Sequence, residues 1–597
     1  MTKYTVIDGK NFYFMFLAGA KCLVDNYAYL NKINVFPVPD GDTGTNMAST
    51  IQAIVDNVKP TKRINKTMFA IADAALVGAR GNSGIIVAQF LQGLSNELEK
   101  YEKIDVITFA KVINKAVDYT YTALANPVEG TILTVLRVWS DFITYTIEKT
   151  DDFIELISQS YQKALEALES TQKQLSNLTK AGVVDAGAQG FIFFLKGMMN
   201  FSTEGNLKEL VGSRQSSLID MNMIDVHEEV TLRYCTEVLA IGDDLDKEAL
   251  KKQISEYGNS VVIAGTAKKI RVHVHSDYPE KVIHYLSEIA QIESTKVDDM
   301  VFQNEIREHR MHDIAIVIDS SADIPDELMA KYQMHFIPLQ VQLDKNIYLD
   351  RITLKHDDFY DWQASDKIYP KTSLPSLKDI QNKLTYLASF YKAIIVLNVS
   401  SGLSGTWQAC SDIGKKIQKQ TGVPIEVIDT KTLAGAQGLV AVRVAKALDQ
   451  GVSFEDLKRL IPAWCKLSNV YAITKTIKYF VKGGRISKFK GFMASLFGVV
   501  PVVTPDKDGK GSILMKSTSQ QRSIDRMIKI CEHKVQHQRL HSFAVEYTDR
   551  NSKDVAQITA NRLTEVLGVQ PEFVTRVTPV IGNSAGVGTI AISILME

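Results

Sequence analysis

Three short apolar runs, IAIVID at 314–319, AIIVLNV at 393–399 and IEVIDT at 425–430, constrain the fold of this 597-residue chain more than any other feature. Each is strand length, rich in β-branched residues and separated from the next by stretches of helical pattern. That texture is the signature of a parallel sheet buried on both faces and joined by crossover helices. SFAVEYTD (542–549) and GTIAISILM (588–596) continue it into a second α/β lobe that starts near Pro462.

The first 200 residues read differently. Phe109, Ile113, Val117 and Leu124 fall on one helical face, and from Asp152 onward Ile154, Ile157, Tyr161, Leu165 and Leu168 recur at steps of three and four. These stripes are core faces of helices. After Phe201 the chain turns polar and acidic (STEGNLKEL, then DMNMIDVHEEV), which reads as a linker. A compact α+β segment follows, with RYCTEVLAI, SVVIAG and KIRVHVHS as strands and a helix near Lys247 to Glu256. The expected organisation is multidomain: an all-α domain over 1–202, a small α+β domain over 203–310 and a two-lobed α/β domain over 311–597.

Composition narrows the function. Lys plus Arg and Asp plus Glu are both 68, so nothing marks a nucleic-acid binder or an anionic-membrane binder; any acidic ligand must be gripped locally. Five scattered cysteines without a CxxC pair argue for a reducing compartment. The N-terminus has no signal-peptide pattern and no run reaches about 18 apolar residues, so a cytoplasmic protein is expected, with peripheral membrane contact left open.

The sharpest local motif is NVFPVPDGDTGTNM (34–47). Asp40 and Asp42 flank one glycine, and Thr43, Gly44, Thr45 and Asn46 follow. Carboxylates this close repel unless cations sit between them, and Mg²⁺ favours a few hard oxygens plus phosphate; the plain alternative is an acidic turn in which Asp42 caps the next helix. GARGNSG offers Gly81, Asn82 and Ser83 to a phosphate at a helix start, PVEGTILTV offers Glu129, Gly130 and Thr131, and AGVVDAGAQG offers Asp185. Glycine beside a small polar residue also serves as a helix cap. No GxxxxGK[ST], no HRD loop and no strand-borne GxGxxG accompanies them.

In this order and spacing, with IDGK ahead of them, these motifs resemble the nucleotide-binding domain of the dihydroxyacetone kinase family, in its fatty acid kinase form. The resemblance implies an all-helical barrel whose loops hold ATP and two Mg²⁺, with Asp40 and Asp42 as catalytic metal ligands. Asn34 stands nearest the place of a further aspartate in the family's sugar kinases.

In the middle segment His273 and His275 alternate on one strand and Cys235 lies on another, so all three can face one centre. Two His and one Cys suit Zn²⁺; an exposed surface pair is the alternative. Asp277 has the same parity and is a candidate fourth ligand. The corresponding segment of the fatty acid kinases looks the same, and there the trio holds zinc.

IAIVIDSSADIPDEL, PKTSLPS, NVSSGLSGTWQ, VIDTKTLAGAQG, VKGGRISK and VIGNSAGVG, in that order, resemble the DegV family of fatty-acid-binding proteins. Thr372, Ser373, Ser400, Ser401 and Gly402 sit after expected strands, where an open α/β sheet binds ligands and short hydroxyls can hold a carboxylate; Ser376 and Ser404 read as helix caps. Arg485 could neutralise an acyl phosphate or pair with an Asp. FMASLFGVV (492–500) suits a tunnel lining, ordinary core or a membrane-facing patch. Ser584 stands where the family has a carboxylate-binding histidine, and serine cannot carry a positive charge.

Together these resemblances imply a fused fatty acid kinase that passes the γ-phosphate of ATP to the carboxylate of a bound fatty acid. The rivals are a small-molecule kinase with a lipid-sensing domain and a non-catalytic lipid binder. A homodimer with transfer between chains and a downstream acyl-transfer enzyme are both compatible with the sequence.

Overall fold

The computed structural model describes residues 4–36, 41–204, 231–365, 369–484 and 499–597, which divide into two compact units, Met1–Asn304 and Glu305–Glu597. Asp40, Arg485, residues 205–230 of the expected linker and residues 492–498 of the apolar run lie outside the described residues.

The first unit opens with two short strands, β1 (Val6–Asp8) and β2 (Lys103–Asp105), paired antiparallel. Each ends in an aspartate that caps a helix. Asp8 accepts from the amides of Lys10 and Asn11 at the start of α1 (Gly9–Asp25), and Asp105 accepts from Thr108. The helices that follow are α2 (Tyr27–Lys32), α3 (Thr43–Asn57), α4 (Ile64–Gly78), α5 (Gly81–Leu98), α6 (Val106–Tyr121), α7 (Ile132–Thr146), α8 (Phe153–Gln174), α9 (Ser176–Ala181) and α10 (Ala186–Glu204). They enclose one apolar core that includes Phe16, Met47, Ile51, Ile85, Trp139 and Phe153.

Two expected stripes are adjusted. Phe109, Ile113 and Val117 are buried on α6, but Leu124 lies past its end and bridges to Val262. On α8 the core face is Phe153, Leu156, Ile157, Ser160, Ala164, Ala167 and Leu168, with Ile154, Tyr161 and Leu165 only half-buried. Small residues win the inner face because Trp139 Nε1 reaches across to donate to Ser160 Oγ at 3.0 Å.

A four-stranded antiparallel sheet completes the unit: β3 (Tyr234–Ile241), β4 (Asn259–Gly265), β5 (Lys269–Ser276) and β6 (Gln291–Asp299), in the order β4-β5-β3-β6. Helices α11 (Lys247–Ile254) and α12 (Pro279–Ile289) cover one face. The other meets the helical domain: Val262 and Ala264 join its core, and the Ala123–Ala125 segment bonds to β4 through Ala125 N to Val261 O (3.1 Å) and Ile263 N to Ala123 O (2.8 Å).

In the second unit β7 (Ile314–Asp319), β8 (His335–Ile337), β12 (Ala393–Asn398) and β13 (Ile425–Asp429) form an all-parallel sheet ordered β13-β12-β7-β8. A three-stranded antiparallel sheet, β10 (Asn346–Leu349), β9 (Gln340–Leu343) and β11 (Lys371–Ser373), stands beside it in sequence. The second lobe is a six-stranded mixed sheet of β14 (Ser468–Ile473), β15 (Val500–Pro505), β16 (Gly511–Ser517), β17 (Leu540–Tyr547), β18 (Phe573–Arg576) and β19 (Ile590–Met596), ordered β16-β15-β14-β19-β17-β18.

Glu546, in the middle of β17, is fully buried where the helix Ala434–Asp449 crosses the sheet. A Cβ at Gly435 would collide with Glu546 Oε1, so only glycine fits there. Burial, opposed by the Ser593 hydroxyl, pushes the Glu546 carboxyl up to about 7. A carboxyl raised in the folded state stabilises fully below its unfolded value of about 4, and that stability is lost as pH climbs through the folded value. Glu546→Gln is therefore expected to gain stability over the natural chain progressively between pH 5 and 8, by up to about 3 kcal/mol. Denaturant melts of both proteins check this; a pH-independent difference would contradict it.

Candidate functional site

At one end of the helical domain, helix starts from distant parts of the sequence converge. Asp42 occupies the N-cap position of α3, but its side chain makes no capping hydrogen bond, so the acidic turn is not built for capping. Thr43 donates to the side-chain carbonyl oxygen of buried Asn34. A Cβ built on Gly81, whose φ is +55°, would strike Asn46 Nδ2, and one on Gly187 would lie 3.5 Å from Ser83 Oγ and 3.3 Å from Asp185 Oδ1. Asp185 accepts from Ala188 N at 2.7 Å. Burial pushes it up to about 6, and the amides of Ala188, Ile132 and Gly187 pull it back. Ile132 opens α7, whose N-cap is Thr131, so Asn46, Gly81, Ser83, Thr131 and Asp185 share one neighbourhood.

Other expected nucleotide residues have structural tasks. Gly44 is buried where a Cβ would run into Tyr27 O; its lack of a side chain serves helix packing. Thr45 is clamped by Asn31, which accepts from its amide at 3.0 Å and donates to its hydroxyl at 2.8 Å. Gly130 turns, at φ +84°, against Gln174, and Glu129 is engaged by Tyr121 and Thr134. Asn82 Oδ1 is buried beside Gly81 and has no hydrogen-bond partner, an orphan acceptor suited to a ligand's donor or cation.

The inward face of the sheet lies over this end. Cys235 Sγ is 3.7 Å from His273 Nδ1, the rings of His273 and His275 are 5.0 Å apart, and the three donor atoms lie within 4.8 Å of one another. Tetrahedral zinc with sulfur and nitrogen ligands sets that first distance at about 3.5 Å. His273 Nε2 is buried and has no hydrogen-bond partner. Burial and then His273 hold His275 down to about 3, keeping it neutral as a ligand must be, whereas burial and the carboxylates of Glu237 and Asp298 push the Cys235 thiol up until a cation is bound. The donor set therefore fits a thiophilic divalent ion. Asp277 does not join it: β5 ends at Ser276, and exposed Asp277 turns back to accept from Arg233 N at 2.8 Å.

Sequence reasoning missed the polar residues between cluster and loop. Glu237, 2% exposed, accepts from Gly81 N at 2.6 Å, Arg271 at 2.8 Å and Arg80 at 3.1 Å. Burial alone would raise this carboxyl; His273, Lys296, Arg271 and Arg80 hold it well below the usual carboxylate range. Strand parity was the available signal: 235 and 237, 271, 273 and 275, and 296 and 298 are same-face positions, in register as Cys235↔His275, Glu237↔His273 and Glu237↔Lys296.

The second unit contains a cavity of about 420 Å³ at the carboxyl ends of β7, β12 and β13, lined chiefly by Leu, Val, Ile, Ala and Phe side chains. Thr372, Ser373 and Ser584 line it; Ser400, Ser401 and Gly402 do not. Ser400 is fully buried, donating to Gly509 O at 2.8 Å and accepting from Gly402 N at 3.1 Å, and the Ser401 hydroxyl accepts from Lys431 at 2.9 Å. Thr372 and Ser373 lie in β11 itself, with Ser373 donating to Gln340 at 3.2 Å. Ser376 caps the helix Leu377–Ala388 as expected, while Ser404 also lines the cavity.

The short helix Pro579–Ala585 that carries Ser584 is pinned by buried carboxyls: Asp323 accepts from Thr578 N at 2.8 Å and Asp350 from Val580 N at 3.2 Å. Ser584 Oγ stands 3.1 Å from where a Cβ on Gly483 would be, so the VKGG segment closes on it.

Three family models match the chain in succession: the DAK2 domain over 37–200, the FakA-like middle domain of fatty acid kinase over 231–307, and the DegV family over 313–597. The chain is a fusion of these three domains. Its fold is accordingly a helical DAK2 region, a middle domain and a C-terminal α/β DegV domain. Among curated relatives, an uncharacterised protein of Staphylococcus saprophyticus is 34% identical over 323 residues, covering 51% of this chain and 58% of that protein. Protein YloV of Bacillus subtilis is 32% identical over 311 residues, covering 49% and 56%. The chain thus spans little more than half the length of these relatives. The solved structure of DegV, a fatty acid binding protein from Bacillus subtilis, is 25% identical and covers 48% of this chain and all of that one, with a TM-score of 0.43. Among the described residues no helix is long and apolar enough to cross a membrane.

Full-length protein purified without chelator is expected to carry about one zinc per chain, and the double variant His273→Ala, His275→Ala to carry almost none. Elemental analysis reads both; equal metal in the two would remove the site from the middle domain.

Proposed function

We propose that this chain is an ATP-dependent fatty acid kinase, with the phosphate donor held by the DAK2 domain and the acceptor carried by the DegV domain. The observation that carries the reading is the pairing, in one chain, of a converged set of helix-start loops around Asn34, Asp42, Ser83 and Asp185 with a separate apolar cavity edged by hydroxyls. An apolar cavity bordered by Thr372, Ser373 and Ser584 suits an acyl chain with a carboxylate at its polar end.

In the reaction a carboxylate oxygen bonds to the γ-phosphorus as the bond from that phosphorus to the β-bridging oxygen breaks, giving acyl phosphate and ADP. Charge balances with no proton moved, because a fatty acid is ionised near neutral pH; a general base is unnecessary, and phosphoryl transfer asks the protein mainly for positioning and charge neutralisation. Asp40, Asp42 and Asn34 would hold two Mg²⁺, which supply Lewis-acid neutralisation of the phosphates. Helix-start amides at Gly81–Ser83 would orient the phosphates. Zinc at Cys235, His273 and His275 would fix the face of the middle domain that lies over this loop.

Joining the domains has a kinetic advantage, since tethering a carrier to its kinase gives an effective concentration on the order of millimolar when the connection can span the sites. Incubation of the full chain with MgATP is expected to release ADP only when oleate or palmitate is present, and not with dihydroxyacetone. Asp42→Ala should lower that turnover by at least about a hundredfold while leaving lipid binding intact. Turnover with the sugar alone, or unchanged turnover in the variant, would contradict the assignment.

A further inference from the structure

Glu237 joins two sites that the preceding reading treats separately. Its Oε1 accepts the amide hydrogen of Gly81, the first residue of α5, at 2.6 Å, and its Oε2 takes hydrogen bonds from Arg80 at 3.1 Å and Arg271 at 2.8 Å. On the other side, Oε1 stands 3.9 Å from His273 Nδ1, the ring nitrogen that faces Cys235 Sγ at 3.7 Å. One buried carboxylate therefore reaches the nucleotide loop of the helical domain and the edge of the Cys–His–His cluster at once. Among the described residues, Arg80, Arg271 and Lys296 are the cations that face it, and Lys296 is itself paired with Asp298.

Resting on the proposed ATP and zinc assignments, we propose that Glu237 is a positioning residue that couples metal at Cys235, His273 and His275 to nucleotide at Gly81–Ser83, each ligand strengthening the other. The sign follows from competition. The Gly81 amide and the Arg80 guanidinium are the groups a phosphate would recruit at this helix start, and Glu237 now occupies both. A divalent cation seated beside His273 attracts the same carboxylate and loosens its hold on Arg80 and Gly81. A phosphate that takes up Arg80 in turn leaves Glu237 free to face the cation. Coupling between two binding sites is reciprocal, so the two effects must have equal size.

The experiment is calorimetric titration of the full chain with MgADP, metal-free and zinc-loaded, together with zinc affinity measured by chelator competition with and without MgADP. Zinc is expected to tighten MgADP by at least about fivefold, and MgADP to tighten zinc by the same factor. In Glu237→Gln, which keeps the shape and one acceptor oxygen, both ligands still bind, MgADP binds the metal-free protein more tightly than it binds the natural chain, and the coupling factor falls to unity. Independent binding in the natural chain, weaker MgADP binding with zinc, or coupling undiminished in Glu237→Gln would overturn the proposal. The reciprocal pair of measurements needs no variant, so it decides the matter even if Glu237→Gln does not fold. Failure of the natural chain to bind MgADP or zinc at all would instead defeat the underlying assignment, and this one with it.

Discussion

A carboxylate buried at 2% exposure is costly unless every lone pair is used, and Glu237 meets that condition only if the β-sheet of the middle domain is set against the N-terminus of α5 in one register. A shift of β3 by one residue would turn Glu237, Cys235 and their same-face neighbours toward α11 and α12 and strand Arg80 and Arg271. The hydrogen bonds of Ala123–Ala125 to β4 and the insertion of Val262 and Ala264 into the helical core hold the same register from the other edge. Placement of the Cys–His–His cluster over the nucleotide loop follows from these contacts.

The second unit solves a similar problem with acid groups that are bonded to amides or kept neutral. Asp319 ends β7 and accepts from Val399 N at 2.7 Å, Asn398 Nδ2 at 3.1 Å and Gln437 Nε2 at 3.3 Å, which ties the carboxyl ends of two parallel strands to a crossing helix. The cavity opens where these ends meet, as expected of an open α/β sheet. Asp350, pushed up to about 7 by burial, and Glu546 show that acid groups here are kept neutral rather than paired. A chain with equal numbers of acidic and basic residues can thus serve anionic ligands, since local amides, hydroxyls and a few enclosed guanidinium groups do the work that net charge would otherwise do.

Much of this was legible in the sequence, for physical reasons that differ by element. IAIVID, AIIVLNV and IEVIDT can be read as buried parallel strands because both faces must be apolar. Cys235, His273 and His275 can be grouped because strand parity is rigid. Parity fails where a strand stops, which is why Asp277 falls outside the cluster that its spacing suggests. Glycines are harder: Gly44 and Gly81 look alike in sequence, yet one makes room for Tyr27 O and the other starts a helix with positive φ. Ser400 and Ser401 mislead because a hydroxyl after a strand can serve the loop's own backbone as readily as a ligand. Glu237 is invisible because its partners in the nucleotide loop lie more than 150 residues away in the chain, and nothing local announces them.

The central claim is that phosphate moves to a carboxylate. It is tested most directly by running the reaction with MgATP and oleate in the presence of hydroxylamine, which converts an acyl phosphate to the hydroxamate, and measuring the lipid by mass spectrometry. Oleoyl hydroxamate is predicted to accumulate in step with ADP and to be absent without ATP. ADP release with the oleate recovered unchanged would contradict the account.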